Sequence, residues 1–264
     1  MDQIKNEIAS IIIVNFNNAK YLKSSLESTL NQTYKNKEII VVDDMSNDNS
    51  LEVLKKYKKK IKFYKTKKKT KFGSYNQMNS YYEGFKRSKG KYIFFLDSDD
   101  YFKINKVTRV IKAFDKHFSN VIFDLPIIKT KNKLEYKRFK QKKFIFSNIP
   151  RFTPQSCIAV EKKFAKKIFK TLRLKKYPSI WLDFRIATLS LLNFGKVFIL
   201  NDYLTFYRQL DNSASKKYIT FSKIWWKRRK EAHEFFSLIS KKLKIKNKIT
   251  LDLIITNLMN LFYR

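Results

Sequence analysis

The sequence predicts an α/β fold built on a mostly parallel sheet, and three observations carry that prediction. Apolar runs of strand length alternate with segments whose apolar residues recur at helical spacing. The alternation has the spacing of βαβ units, which implies parallel pairing. A polar cluster, twice carboxylate-rich, begins where each of three buried runs ends. In a parallel sheet those strand ends share one edge, and ligands bind there.

The elements follow in order. Ser10 to Val14 is a buried β-branched run, and Leu22, Leu26 and Leu30 then mark a helix. Glu38 to Val42 is a second buried strand; the polar run Asp43 to Asp48 offers a loop and several candidate helix caps. Leu51, Leu54 and Tyr57 or Lys58 make a helical stripe, Ile61 to Tyr64 a short strand, and the lysine run Lys65 to Lys71 a solvated loop. A helix from about Tyr75 to Ser88 leads through a Lys89-Gly90 turn to a third clear strand, Tyr92 to Leu96. The second half is less regular. Val121 to Ile128 and Gln155 to Val160 read as strands, Trp181 to Asn193 as a helix, and Val197 to Leu200 as a strand after a Gly195-Lys196 turn. From Thr220 the pattern is helical, with Phe221, Trp225, Arg228, Ala232, Phe235 and Ile239 on one stripe, and a last helix runs from Thr250 to about Phe262.

With 264 residues, 44% of them hydrophobic and 16% aromatic, the chain can bury a proper core and is no disordered tail. A net charge of +36, mostly lysine, favours anionic partners: nucleic acid, acidic lipid or phosphorylated substrates. AT-biased codons explain the same richness in Lys, Asn, Ile, Phe and Tyr, so charge alone does not choose a function. Cys157 is the single cysteine. It can form no intrachain disulfide, suits a reducing compartment and falls in an apolar run that reads as core. Met1 to Lys5 lacks the apolar stretch of a signal peptide, and no apolar run has the length of a membrane span. The expectation is a cytoplasmic protein, free or peripheral on the inner membrane face. Four glycines form no phosphate-cradling loop, which excludes a Walker site and a dinucleotide fingerprint. His117 and His233 have no partner at metal-ligand spacing and read as structural or exposed.

The informative motif is Asp97-Ser98-Asp99 after a buried strand. Two carboxylates separated by one small residue at a sheet mouth suit a hard cation, Mg²⁺ or Mn²⁺, that fills its remaining positions with phosphate oxygens and water. The same pattern also occurs in loops that cap helices. Asp43-Asp44 is open in the same way: a strand-end carboxylate can accept from a nucleobase imide or a ribose hydroxyl, or it can cap the next helix. Asp183 lies among Trp181, Leu182 and Phe184. Desolvation there raises a carboxylate's pKa, as suits a general base, while a first-turn aspartate favoured by the helix dipole has the same local sequence.

Together Ser10 to Asn17, Glu38 to Asp44 and Gly90 to Asp100 resemble glycosyltransferase family 2, in that family's order. The resemblance is strong from about Ser10 to Asp100. It thins through Asp183 to Tyr207-Arg208 and Asn212-Ser213-Ala214-Ser215, which is similar to the family's closing loop. It implies a GT-A fold at residues 1–215, with a nucleotide-binding half to about residue 100, an acceptor half over 101–215, and a helical extension over 216–264. It also implies inverting transfer of a sugar from a nucleotide-sugar donor, UDP-linked, to a saccharide or lipid-linked acceptor in surface polysaccharide or lipid-linked glycan synthesis. Asn15, Asp43 and Asp44 then form the nucleoside pocket, Asp97, Ser98 and Asp99 contact ribose and the metal diphosphate, Asp183 is the base, and Arg208 contacts diphosphate. Three positions depart from the family pattern. Ser80-Tyr81-Tyr82 replaces an Ala-Arg-Asn run, leaving Lys71, Gln77 or Asn79 as nucleotide contacts; Leu182 replaces a glutamate; and Leu210 replaces a histidine, which leaves the metal to Asp99 and phosphate.

Trp225-Trp226-Lys227-Arg228-Arg229 fits an anionic lipid headgroup surface, or a core Trp225 beside snorkelling arginines. The last helix, interrupted by polar residues, is expected to dock on the domain or on a second subunit. Two other functions remain open on sequence: a basic nucleic-acid-binding protein, motivated by charge alone and without a recognisable motif, and a non-catalytic GT-A scaffold.

Overall fold

Strand β1 (Ala9–Asn15) is buried along its whole length, and its period-two geometry sends alternate side chains into two layers. Ile12 and Val14 join Met78, Tyr81, Ile93 and Phe95 in one cluster. Ile11 and Ile13 join Leu22, Leu26, Val41 and Leu96 in the other. Each such buried side chain is worth about 1.5–3 kcal/mol, so the two-sided apolar sequence holds the strand between the two layers. The computed structural model describes residues 7–117, 119–136, 146–172, 176–211, 213 and 218–263. The sequence expectations for Met1 to Lys5, for Asn212, Ala214 and Ser215, and for the domain boundary at 215 fall outside them.

The remaining elements are α1 (Ala19–Leu30), β2 (Lys37–Asp43), α2 (Ser50–Lys56), β3 (Lys62–Lys65), α3 (Gly73–Arg87), β4 (Tyr92–Asp97), β5 (Tyr101–Phe102), α4 (Lys106–His117), β6 (Val121–Lys129), β7 (Leu134–Tyr136), β8 (Ile158–Glu161), α5 (Lys162–Leu172), α6 (Leu182–Phe194), β9 (Ile199–Arg208), α7 (Lys223–Lys242) and α8 (Leu251–Phe262). The sheet order is β3-β2-β1-β4-β8-β6-β9-β5, with β7 on β6. The first four strands are parallel, and their register sets Asn15 opposite Asp43 and Val14 opposite Asp97. Strand β8 is antiparallel to both β4 and β6, while β9 runs parallel to β6 with two register shifts. Helix α3 lies tight on β1 because Gly84 has no side chain: a Cβ there would stand 2.4 Å from Ile12 Cγ2.

The second half departs from the sequence reading in four places. Gln155 to Cys157 is a 3-10 turn, and β8 starts only at Ile158; Ser156 leaves the ladder to bond Asp100. The strand expected at Val197 to Leu200 continues to Arg208. Helices α4 and α5 carry periodic apolar faces that the reading passed over, with Val107, Val110, Ile111 and Phe114 buried on one and Phe164, Ala165, Ile168 and Phe169 on the other. In α7 the core tryptophan is Trp226, at 5% exposure, whereas Trp225 is half-buried and Phe221 precedes the helix and is exposed. The helix starts at Lys223, and the expected stripe differs only at this end, since its members Ala232, Phe235 and Ile239 are buried.

Helix α7 also supplies Ala232, Phe235, Phe236 and Ile239 to the same cluster as β1, so the helical extension is built into the core. Cys157 is buried, His117 is exposed, and His233 is buried with Nε2 3.1 Å from Asp252 Oδ2.

One buried polar knot ties the second half together. Lys106 Nζ lies 2.7 Å from Asp124 Oδ2 and donates to Thr205 Oγ1 and to the Ser156 carbonyl, each at 2.6 Å. It thereby links α4, β6, β9 and the 3-10 turn. Replacing Lys106 by Met strands the Asp124 charge, and the expected cost is about 3–5 kcal/mol in urea denaturation. A loss below about 1 kcal/mol means the knot contributes little net stability.

Candidate active site

The ends of β1, β2 and β4 place three polar clusters on one edge. Asn15 and Asp43 are fully buried and bonded to each other, Asn15 Nδ2 donating to Asp43 Oδ1 at 2.8 Å. Ser46 closes the turn by donating its N–H and hydroxyl to Asp43. Asp48 caps the start of α1, accepting from the Ala19 N–H at 2.9 Å. Asp44 is the member of its pair that faces open space. Its N–H donates to the Asn15 carbonyl at 2.7 Å and its Oδ1 accepts from Thr66 Oγ1 at 3.0 Å. Burial raises its pKa, partly offset by the Thr66 bond and by Lys69. Asn15 and Asp43 thus stand behind the surface that Asp44 presents.

Four residues after Ile93, the β4 ladder ends in the acidic loop. Asp97 Oδ1 accepts from Gln77 Nε2 and from the Tyr81 hydroxyl, both at 2.8 Å, which leaves Oδ2 for another partner. Burial first, and the neighbouring Asp99 and Asp183 charges next, push Asp97 up to about 7. Burial also raises Asp99. Asp100 turns inward, fully buried, and accepts from Ser156 Oγ at 2.6 Å and the Arg208 N–H at 2.8 Å. Its proton is held well above the usual carboxylate range by burial and then by Asp99 and Asp97. It fastens the acidic loop to β9.

Asp183 comes from the first turn of α6, where its Oδ1 accepts from the Phe184 N–H at 2.7 Å. Burial pushes it up to about 6, opposed by that bond and by the Arg228 charge. Arg208 ends β9. Its guanidinium donates to the Asp99 carbonyl and, at 2.9 Å, to Ser24 Oγ, and lies over the Tyr21 and Tyr101 rings.

Asp44, Asp97, Ser98, Asp99, Asp183 and Arg208 line one cavity of about 630 Å³. Asn17, Asn18, Lys69, Gln77, Trp181, Tyr207, Ser213 and Arg228 also line it, as does Leu210, so that position brings no imidazole to the site. Of the three nucleotide contacts considered in place of the Ala-Arg-Asn run, Gln77 reaches the cavity; Lys71 and Asn79 are not in its lining, and Lys69 is. Sequence reading gave no role to Tyr81, Lys69 or Tyr207, and it left Arg228 between a lipid-facing surface and a snorkelling position beside a core Trp225. Only the helical offset of Gln77 and Tyr81, four residues apart on α3, hinted that two polar groups would meet one partner.

Among the described residues no three carboxylate, histidine or cysteine side chains form a complete metal cage. A pair of crowded carboxylates open to a cavity still fits Mg²⁺ or Mn²⁺, which keep several positions for phosphate and water. Burial, and after it the Asp99 and Asp183 charges, raise Asp97, and a cation there would relieve that penalty.

The chain matches the family model described as glycosyl transferase family 2 over residues 10–181. It belongs to glycosyltransferase family 2. Among characterised relatives it is similar to poly(ribitol-phosphate) beta-N-acetylglucosaminyltransferase TarP of Staphylococcus aureus, with 45% identity over 34% of this chain and 28% of the relative. The chain therefore spans a minor part of that protein's length. In three dimensions it is similar to S. aureus TarS in complex with UDP, with TM-score 0.64 and 17% identity over 96% of this chain and 69% of that one. It is also similar to mannosyltransferase PcManGT of Pyrobaculum calidifontis in complex with GDP-Man and Mn²⁺, with TM-score 0.58 and 12% identity over 94% of this chain and 68% of the other. The fold is GT-A.

The raised Asp183 has a stability consequence. A carboxyl whose folded pKa is about 6 against an ordinary 3.8 favours the native state when protonated. That advantage is complete below about pH 4 and is lost as pH rises through 6. Asp183→Asn is therefore expected to raise stability at pH 7.5 by up to about 3 kcal/mol, and to gain nothing at pH 4. Chemical denaturation at the two pH values measures the difference; equal effects at both contradict the buried-carboxylate description.

Proposed function

We propose that the chain transfers a sugar from a nucleotide donor, UDP-linked, to an acceptor hydroxyl with inversion, in the synthesis of a bacterial surface polysaccharide or lipid-linked glycan. The observation that carries this reading is the convergence of Asp44, Asp97, Asp99, Asp183 and Arg208 on one cavity. The TarS complex with UDP supports the choice of base, and the polymeric, phosphate-bearing acceptor named for TarP suits a chain of net charge +36. That charge serves an anionic acceptor or membrane better than a nucleic acid, whose backbone the cavity carboxylates repel.

Asp44 accepts from the nucleobase imide or a ribose hydroxyl, with Asn15 and Asp43 locking its strand end from behind. Asp97 and Ser98 meet the ribose and the first phosphate, and Gln77 and Tyr81 hold Asp97 in place. Mg²⁺ or Mn²⁺ held by Asp97 and Asp99 supplies, when bound, positive charge to a diphosphate leaving group. Arg208 adds a guanidinium already oriented by the Asp99 carbonyl and Ser24. Asp183 is ionised at neutral pH yet basic enough to take the acceptor hydroxyl proton. The freed oxygen then attacks the anomeric carbon from the face opposite the diphosphate, which inverts that centre.

Calorimetric titration of UDP in the presence of Mn²⁺ tests the binding half: Asp99→Ala is expected to weaken binding at least about tenfold. Asp183→Asn is expected to keep that affinity and to lose about 10²–10⁴-fold in turnover, read as transfer or as donor hydrolysis. Turnover retained in Asp183→Asn removes Asp183 from the base role. In the unaltered enzyme kcat/KM should rise with pH up to about 6 and then level, because Asp183 must be deprotonated to act; a profile that falls across that interval contradicts a basic Asp183.

A further inference from the structure

Helix α8 is amphipathic in the inverse sense. Its inward side is polar: Asp252 is bonded to Arg229, His233 and Ser147, and Asn260 donates to the Trp226 carbonyl. Its outward side is apolar. Leu251, Ile254, Ile255, Leu258, Leu261 and Phe262 are 41–81% exposed, at the spacing of one helical stripe, and Asn257 is the one polar residue exposed among them. A water-facing helix normally has the opposite arrangement, and a contiguous apolar face of this kind marks a contact surface.

We propose that this face is a docking surface for an anionic lipid bilayer, on which α8 lies in the plane of the headgroups. Charge decides the occupant. The segment that leads into α8 exposes Lys241, Lys242, Lys244, Lys246 and Lys248 with Ile245 and Ile249 between them, and no acidic residue stands in it. Basic residues bordering an apolar stripe are the composition that anionic headgroups attract. A second copy docked with its α8 parallel to this one would bring those five lysines near their own equivalents, which like charge opposes. Lying flat also suits the length: twelve residues span about 18 Å, short of the ~30 Å hydrocarbon layer. No helix among the described residues is long and apolar enough to cross a membrane.

The surface is joined to the cavity. The Tyr263 hydroxyl reaches the Phe221 carbonyl, setting the end of α8 beside the start of α7, and α7 carries Arg228 into the cavity lining. The inference does not rest on the transferase chemistry, because it is read without donor, metal or acceptor.

Flotation with vesicles of phosphatidylcholine containing about one third phosphatidylglycerol tests it. The full chain is expected to float with these vesicles, and with pure phosphatidylcholine at least about tenfold less. The double variant Ile254→Asp, Leu258→Asp should lose at least about tenfold in partitioning, with its thermal midpoint unchanged because both residues point outward. Should that variant fold poorly, Lys244→Glu, Lys246→Glu, Lys248→Glu offers a second route, with an expected loss of about fivefold per lysine on anionic vesicles. Equal flotation of all variants means that general basic charge, not α8, carries binding, and overturns the proposal. So does a chain that stays with the buffer but sediments as a dimer until Ile254 and Leu258 are changed; the occupant is then a second copy.

Discussion

Everything at the candidate site depends on like charges being held together at the carboxyl edge of a parallel sheet. Parallel pairing of β1, β2 and β4 ends three strands on one level, and the polar residues that follow them have nowhere else to go. Burial raises these carboxyls, Asp97 to about 7, Asp183 to about 6 and Asp100 well above the usual range, and neighbouring carboxylates raise Asp97 and Asp100 further. Left alone, such a cluster favours protonation or dispersal. It persists because buried scaffolding fixes it from behind, and a cation there would relieve it.

That scaffolding has a division of labour. Within each acidic pair one residue is structural and the other is presented: Asp43 bonds Asn15 and Ser46 while Asp44 faces the cavity. In the second loop Asp100 ties Ser156 and the β9 backbone, while Asp97 and Asp99 line the cavity. Below them the Lys106–Asp124 knot joins four elements of the irregular half. The first half places Asp44, Asp97 and Asp99 by regular β-sheet pairing; the second half brings Asp183 and Arg208 to the same cavity by individually satisfied polar contacts.

The sequence made the first half legible because its strands are buried on both faces and its helices have clear periodicity. Asp97, Asp99 and Asp183 could be singled out because aspartates at strand ends or among aromatics are chemically conspicuous. What sequence reading missed has a physical reason in each case. Asp100 and Lys106 look like solvated surface residues until long-range partners, Ser156 and Thr205, are known. Trp226 rather than Trp225 is buried at the first turn of α7 because Phe221 lies outside the helix and does not set its phase, while Ala232, Phe235 and Ile239 are buried as the stripe predicts. The outward apolar face of α8 was hidden by the expectation that apolar residues turn inward, when here Asp252 and Asn260 do so.

The central claim is that the gathered carboxylates form one site for a cation and a nucleoside diphosphate together. Thermal midpoints with Mn²⁺ alone, UDP alone and both together test it most directly, since ligands that bind the native state raise it by mass action. The account predicts that the joint shift exceeds the sum of the two separate shifts, because each ligand completes the other's surroundings. Shifts that merely add, or no response to either ligand, would contradict it.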